Sequence, residues 1–329
     1  MRVICIFLCS TLLFSCSTGN QEPKSMPEST APKTLGAFMG MSPIDRPLLL
    51  SPDLLGSSLD EYNGTFSPDG KEFFFTTNTP IQGYISQTKM DSSGTWSEPR
   101  VASFSGEYSE YDPLFSPDGS RLYFSSERPA PGSVDSGRTG IWYVEREEAG
   151  WSKPKYVDLG DQANYFSSVT NEGIIYFNSW DTGDLYRATP IDSEYEVEAL
   201  PEILNTENGE GDPFISSDED YLIFRGYNNT LGRGDHYISF NIDGEWTEPQ
   251  NLGEPYNSSS HEMCPYVTRD GKYFIFASTR ILDPYLAEPN ESVSSLRNKH
   301  ASADNGQLNI YYVSADFIEK FRTQSQSNN

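Results

Sequence analysis

Apolar and polar positions alternate along this chain in short runs, and one arrangement of them recurs five times. An apolar residue leads into a polar turn, and a β-branched or aromatic run follows. The phrase stands as FSPDGKEFFF from Phe66, FSPDGSRLYF from Phe115, VTNEGIIYF from Val169, ISSDEDYLIF from Ile215 and VTRDGKYFIF from Val267. Short apolar runs flanking a tight polar turn predict a β-hairpin. Proline in Pro68-Asp69-Gly70 and Pro117-Asp118-Gly119 sets φ for a turn, aspartate can bond its own backbone there, and glycine takes positive φ. A third strand is predicted at Tyr84-Ile85-Ser86, Ile141-Trp142-Tyr143-Val144, Leu185-Tyr186, His236-Tyr237-Ile238 and Ile310-Tyr311-Tyr312-Val313. A fourth signal follows at Trp96-Ser97-Glu98-Pro99, Trp151-Ser152-Lys153-Pro154 and Trp246-Thr247-Glu248-Pro249, with Tyr195 and Pro201 in its place in the third unit. Proline suits an edge strand, so this signal is expected to be the outermost one.

The turn positions Gly70, Gly119, Gly173, Glu219 and Gly271 lie 49, 54, 46 and 52 residues apart. Four short strands at such a period predict the blades of a β-propeller. The fifth unit runs out after its third strand. Pro47-Leu48-Leu49-Leu50 precedes Glu61 much as Pro99-Arg100-Val101-Ala102 precedes Glu110, so the N-terminal segment is expected to supply the missing strand. The expected fold is all-β: a five-bladed propeller of four-stranded blades closed by an N-terminal strand, with a degenerate sixth blade as the alternative. The expected division is a signal peptide over 1–15, a lipidated tether over 16–36, the propeller over 37–318 and a polar tail over 319–329.

These units resemble TolB-type, WD-like propeller repeats of bacterial envelope proteins. The residues that carry the likeness are Ser67-Pro68-Asp69-Gly70, Ser116-Pro117-Asp118-Gly119, Arg269-Asp270-Gly271, the tryptophan-x-x-proline signals and Asp235-His236-Tyr237. The resemblance covers about 60–313. It implies a fold and an exported address but no one activity, because the relatives include scaffolds, peptidoglycan-associated proteins and polysaccharide lyases. The third and fourth turns depart from it, with Asn171-Glu172-Gly173 and with Glu219 in place of glycine.

The N-terminus bears on location. Arg2 precedes an apolar stretch over 3–14 that is too short to span a bilayer and reads as a signal peptide. Leu13-Phe14-Ser15-Cys16 resembles a bacterial lipobox, which implies lipidation at Cys16 and an outer-membrane lipoprotein, periplasmic or surface-exposed. Cys5 and Cys9 leave with the signal, so Cys264 is the one thiol left in the mature chain, and it is expected to be a buried structural residue. The formal charge of −25 makes nucleic acid and anionic lipid head groups poor partners. No nucleotide-binding glycine loop, helix-borne metal motif or nucleophile elbow is present.

Nine residues before each turn position stand Glu61, Glu110, Asn164, Glu210 and Glu262, which begin the innermost strands and should ring one mouth of the channel. Asp112 and Asp212 lie two residues further along, and His261 precedes Glu262. Either the glutamates are repeat residues that tie blades together, or they form a ring of like charge that takes a cation or a cationic substrate. Oxygen ligands of this kind suit calcium or magnesium. Arginines from the loops joining second to third strands, among them Arg128 and Arg280, are expected on the same face, where they either bind an acidic sugar or quiet the ring. The loop 281–307 is expected to be disordered. Two functions stay open: a monomeric scaffold that binds a glycan, peptide or protein at the channel mouth, and a glycoside hydrolase or polysaccharide lyase, with Glu110 and Glu210 as its candidate catalytic carboxylates.

Overall fold

The structure, a computed structural model, describes residues 34–133, 137–160, 162–228, 230–284 and 287–328. Five four-stranded antiparallel blades follow one another around a ring. The inner strands are Asp60–Phe66, Glu110–Phe115, Asn164–Val169, Glu210–Ile215 and Glu262–Val267. Each pairs with a second strand across the repeated turn. That turn has one shape in every blade, including the fourth, where Glu219 takes the left-handed conformation at φ 61°. A non-glycine residue there is strained. Its carboxylate accepts from Arg187 Nε at 2.7 Å and Tyr176 Oη at 2.6 Å, which helps to hold it.

The fourth strands differ from expectation in register. Trp96 bridges back to Met90, Trp151 and Trp246 pair with the ends of their third strands, and the outer strands Arg100–Val101, Lys155–Tyr156 and Gln250–Asn251 begin only after the proline. Proline has no N–H to give the ladder, so pairing resumes one residue later. The third blade instead runs a full outer strand, Glu194–Ala199.

Leu48 and Leu49 pair with Tyr312 and Tyr311, and Leu50 N donates to Ile310 O at 2.9 Å, so the N-terminal segment completes the fifth blade. Upstream, Phe38 packs on Phe66 with ring centres 5.3 Å apart, and Tyr273 Oη donates to Met41 O. The segment therefore ties the first blade to the last. At the other end, the expected polar tail is helical from Phe317 to Asn328. Phe317 is buried against Phe274 and Tyr256, and Arg322 lies over Phe240 and pairs with Asp220. Within 281–307, expected to be disordered, a helix forms over Val293–His300, its first turn capped by Ser292. Among the described residues no helix is long and apolar enough to cross a membrane.

Candidate functional site

The ring of glutamates begins the inner strands as expected, and all four are buried. Their carboxylates are not brought together. Each turns back to the connector that leads into its own strand. Glu61 accepts from Ser57 Oγ. Glu110 accepts from Ser105 Oγ and Gly106 N, Glu210 from Thr206 N and Oγ1, and Glu262 from Ser258 Oγ. Asn164 follows suit, donating to Leu159 O. The charges acting on Glu61 and Glu210 come from Asp60 and Asp184, not from other ring members. Burial pushes the Glu61 carboxyl up to about 7 and raises that of Glu210.

Arg128 and Arg280 occupy equivalent places, each bonded through Nε to the serine two residues earlier. Arg128 pairs with Glu110 and reaches Phe104 O; Arg280 pairs with Glu262 at 3.0 Å and donates to Pro255 O and Tyr256 O. These arginines fasten connectors to blades. Among the described residues no group of three or more His, Cys, Asp or Glu side chains is placed to hold a metal ion.

A second set of side chains does meet on the axis. Two residues beyond each ring position, Asn63, Asp112, Phe166, Asp212 and Cys264 all have positive φ, between 45° and 54°. Each sits at a bulge where the register of inner and second strand slips. A bulge re-aims the side chain beside it. Cys264 Sγ lies 3.8 Å from Asp112 Oδ1 and 3.9 Å from Asp212 Oδ2, between the two acids. Asp212 Oδ2 also accepts from Cys264 N at 3.1 Å and pairs with Arg225 Nη1 at 3.4 Å. The Cys264 thiol is held protonated, because burial and both aspartate charges push it well above 9.0.

The fourth blade departs from the repeat to make this cluster. Thr76, Ser125 and Asn178 on the second strands each accept the backbone N–H of the next blade's bulge residue. The matching residue in the fourth blade is Arg225, which turns to Asp212, and the Asp212 carboxylate accepts the Cys264 N–H in its stead. Room for the guanidinium comes from Gly211, where other blades hold Tyr62, Tyr111, Tyr165 and Met263. A Cβ there would lie 2.7 Å from Arg225 Nη2.

Burial first, and then the Asp212 charge, lift the Asp112 carboxyl to about 7, with Asn63, Tyr165 and Arg225 opposing. No well-formed hydrogen bond within the protein reaches Asp112 Oδ2, Asp212 Oδ1, Arg225 Nε or Asn63 Oδ1, and the Asn63 amide meets Asp112 only loosely. Tyr62, Tyr111, Tyr165 and Met263, each one residue nearer the strand start, cover the cluster, and the exposed Trp180 packs on Tyr165 at 5.3 Å. His261 stands beside it, its imidazole kept below 6.5 by burial and Arg225. The opposite mouth opens as a cavity of about 210 Å³ whose lining mixes Phe66, Leu114, Val169, Phe214 and Tyr266 with Ser217, Asp218, Asp220 and Arg269.

Asn63, Arg225 and Cys264 were not legible as site residues from local motifs. Laying the five units side by side two positions past the glutamate finds Asn63 and Cys264, because the residue types there do not repeat, whereas Arg225 lies in the second strand Tyr221–Gly226 and is found only through its pairing with Gly211.

No family profile and no curated protein matches the chain. Solved structures similar to it include TolB from Acinetobacter baumannii, at 15% identity and a TM-score of 0.45, over 77% of this chain and 54% of that one. The catalytic domain of a GH62 α-L-arabinofuranosidase from Coprinopsis cinerea is 12% identical at a TM-score of 0.46, over 83% of this chain and 95% of that one. The GH43 protein BlXynB from Bacillus licheniformis is 13% identical at 0.45, over 82% and 56%. This chain thus spans about half the length of that TolB and of BlXynB. At these identities the likeness is one of fold alone.

Proposed function

We propose that this chain is a binding module of the bacterial envelope, held to the outer membrane by lipid on Cys16, whose channel mouth takes a glycan, peptide or protein partner. One observation carries the binding role: the Asn63, Asp112, Asp212 and Arg225 cluster is polar where the fold has no need of polarity. The same bulge holds Phe166 in the third blade and Cys264 in the fifth. Buried polar atoms without partners cost stability, and proteins keep such costs mainly at working sites. In the glutamate ring each carboxylate bonds the connector into its own strand and none meets another ring member, although Glu61 Oε2 and Glu262 Oε2 also lack partners, so the ring reads as architecture.

The binding role is tested by probing peptide and glycan arrays with the purified full chain. Ligands captured by the wild type should be lost at least about tenfold by Asp112→Asn and Asp212→Asn, the scale of removing one buried charged hydrogen bond. Undiminished capture by both variants would place binding elsewhere. A second reading, a hydrolase or lyase, is favoured by one feature: Asp112 near 7 stands beside an arginine-paired Asp212, as an acid beside a base would. Product release from the glycan array that disappears in Asp112→Asn would establish it over the scaffold.

Cys16 lies outside the described residues, and the anchor rests on Leu13-Phe14-Ser15-Cys16 after a short apolar run. Cys16→Ala is expected to move the protein from the membrane pellet to the soluble fraction. Wild-type protein already soluble in the periplasm would rule the anchor out.

A further inference from the structure

We propose that the group this mouth takes is a primary ammonium on a slender stem, the lysine side chain of a partner peptide, seated between Asp112, Asp212 and Asn63. The inference rests on the mouth being a binding site and adds the chemistry it recognises. Two carboxyl groups face a single guanidinium, Arg225, so with Asp112 ionised the cluster is one positive charge short. Three acceptor oxygens lack partners within the protein: Asp112 Oδ2, Asp212 Oδ1 and Asn63 Oδ1. An ammonium brings three N–H donors and no acceptor. The donors at hand, Asn63 Nδ2 beside Asp112 and Arg225 Nε, are fewer than these acceptors. A carboxylate or phosphate would add to the acidic charge. A hydroxyl would leave it uncompensated.

Depth selects the stem. Asp112 and Asp212 are 0% exposed, beneath a cover of tyrosines and Met263. An amine fixed directly to a sugar ring would bring that ring against the cover. Lysine carries its charge on four unbranched methylenes, which suit aromatic walls while the ammonium meets their faces. Outside the cover, Trp180 on the third blade and Tyr227 and Leu231 on the fourth are exposed, and they offer apolar surface to flanking peptide side chains. The chain's charge of −25 would draw a basic segment toward it.

The pH dependence has a definite sign. The groups facing Asp112 are Tyr62, Tyr111 and Tyr165 from the first three inner strands, Asp212 and Cys264 from the last two, and Arg225 from a second strand. His261 faces Arg225 and Asp212 and sits below 6.5, so it adds no charge above neutrality. With Asp112 at about 7, lysine capture requires its proton to leave, and affinity should fall about tenfold between pH 8 and pH 6.

An array of random dodecapeptides probed with the full chain, beside an array of amino-sugar oligosaccharides, tests this. Peptides captured should share a lysine. Acetylating that lysine in the resynthesised peptide should weaken binding at least about 30-fold by calorimetry, and Asp212→Asn should weaken it comparably. Acetylation alters the peptide alone, so the result does not depend on a variant's folding. Captured peptides without lysine, or acetylated ones that bind as well, would overturn the ammonium while leaving the mouth as a binding site, provided Asp112→Asn still abolishes capture. Capture of amino sugars only would overturn the lysine stem. Capture of nothing on either array would overturn both readings.

Discussion

A chain lacking residues 34–56 should fail to fold cooperatively. That segment supplies the outer strand of the fifth blade through Leu48 and Leu49, and it buries Met39, Leu50 and Leu55 in the core shared by the first and last blades. Losing a buried aliphatic side chain costs about 2–5 kcal/mol, and three together approach the whole stability of an ordinary domain. The loss would also bare the edge of Asn309–Ser314, whose unpaired N–H and C=O groups invite association. The truncated chain should lack a sharp thermal transition and elute as aggregate. Leu50→Ala alone should cost about 2–4 kcal/mol in urea. A truncated chain that melts cooperatively within a few degrees of the full chain would show that the ring closes without its strap.

Asp112→Asn should stabilise the protein at alkaline pH and do little in acid. Its carboxyl ordinarily titrates at 3.8 and is lifted to about 7 in the fold. Between those values the native state holds a proton that the unfolded chain has released, so stability falls as pH rises from about 4 to about 7. Above 7 the native state carries a charge in a dry site. A shift of one unit corresponds to about 1.4 kcal/mol, so a neutral amide of the same shape should recover about 2–4 kcal/mol at pH 8. Denaturant melts at pH 4, 6 and 8 would show the gain growing with pH. Glu61, raised from 4.5 to about 7 by burial, adds to the same decline and is unaffected by the substitution. A variant less stable than wild type at pH 8 would mean that Asn63, Tyr165 and Arg225 stabilise the Asp112 charge more than burial opposes it. Gain of stability with loss of ligand capture is the pairing expected of a residue kept for function.

Local chemistry along the chain determined the blades. Pro-Asp-Gly turns between β-branched and aromatic runs need only near neighbours to form, and counting strands to four per unit located the missing one at 48–50, which pairs as that count requires. The turn at Glu219 kept its shape without glycine because Arg187 and Tyr176 hold its carboxylate, and both partners come from another blade. Repeat position likewise placed Glu61, Glu110, Glu210 and Glu262 at one level, but not the direction of their carboxylates. That direction is set by hydroxyls a few residues upstream and, for two of them, by an arginine from beyond the second strand. The axial cluster belongs to tertiary structure entirely. Asp112 and Cys264 are 152 residues apart and meet only because the ring closes. They face each other because a bulge at positive φ turns the residue two beyond each ring position toward the axis, and whether a strand bulges depends on its pairing partner rather than on its own residues. Gly211 and Arg225 show the same limit. Each is unremarkable in its own strand, and only their apposition across one strand pair opens the space through which the guanidinium reaches Asp212.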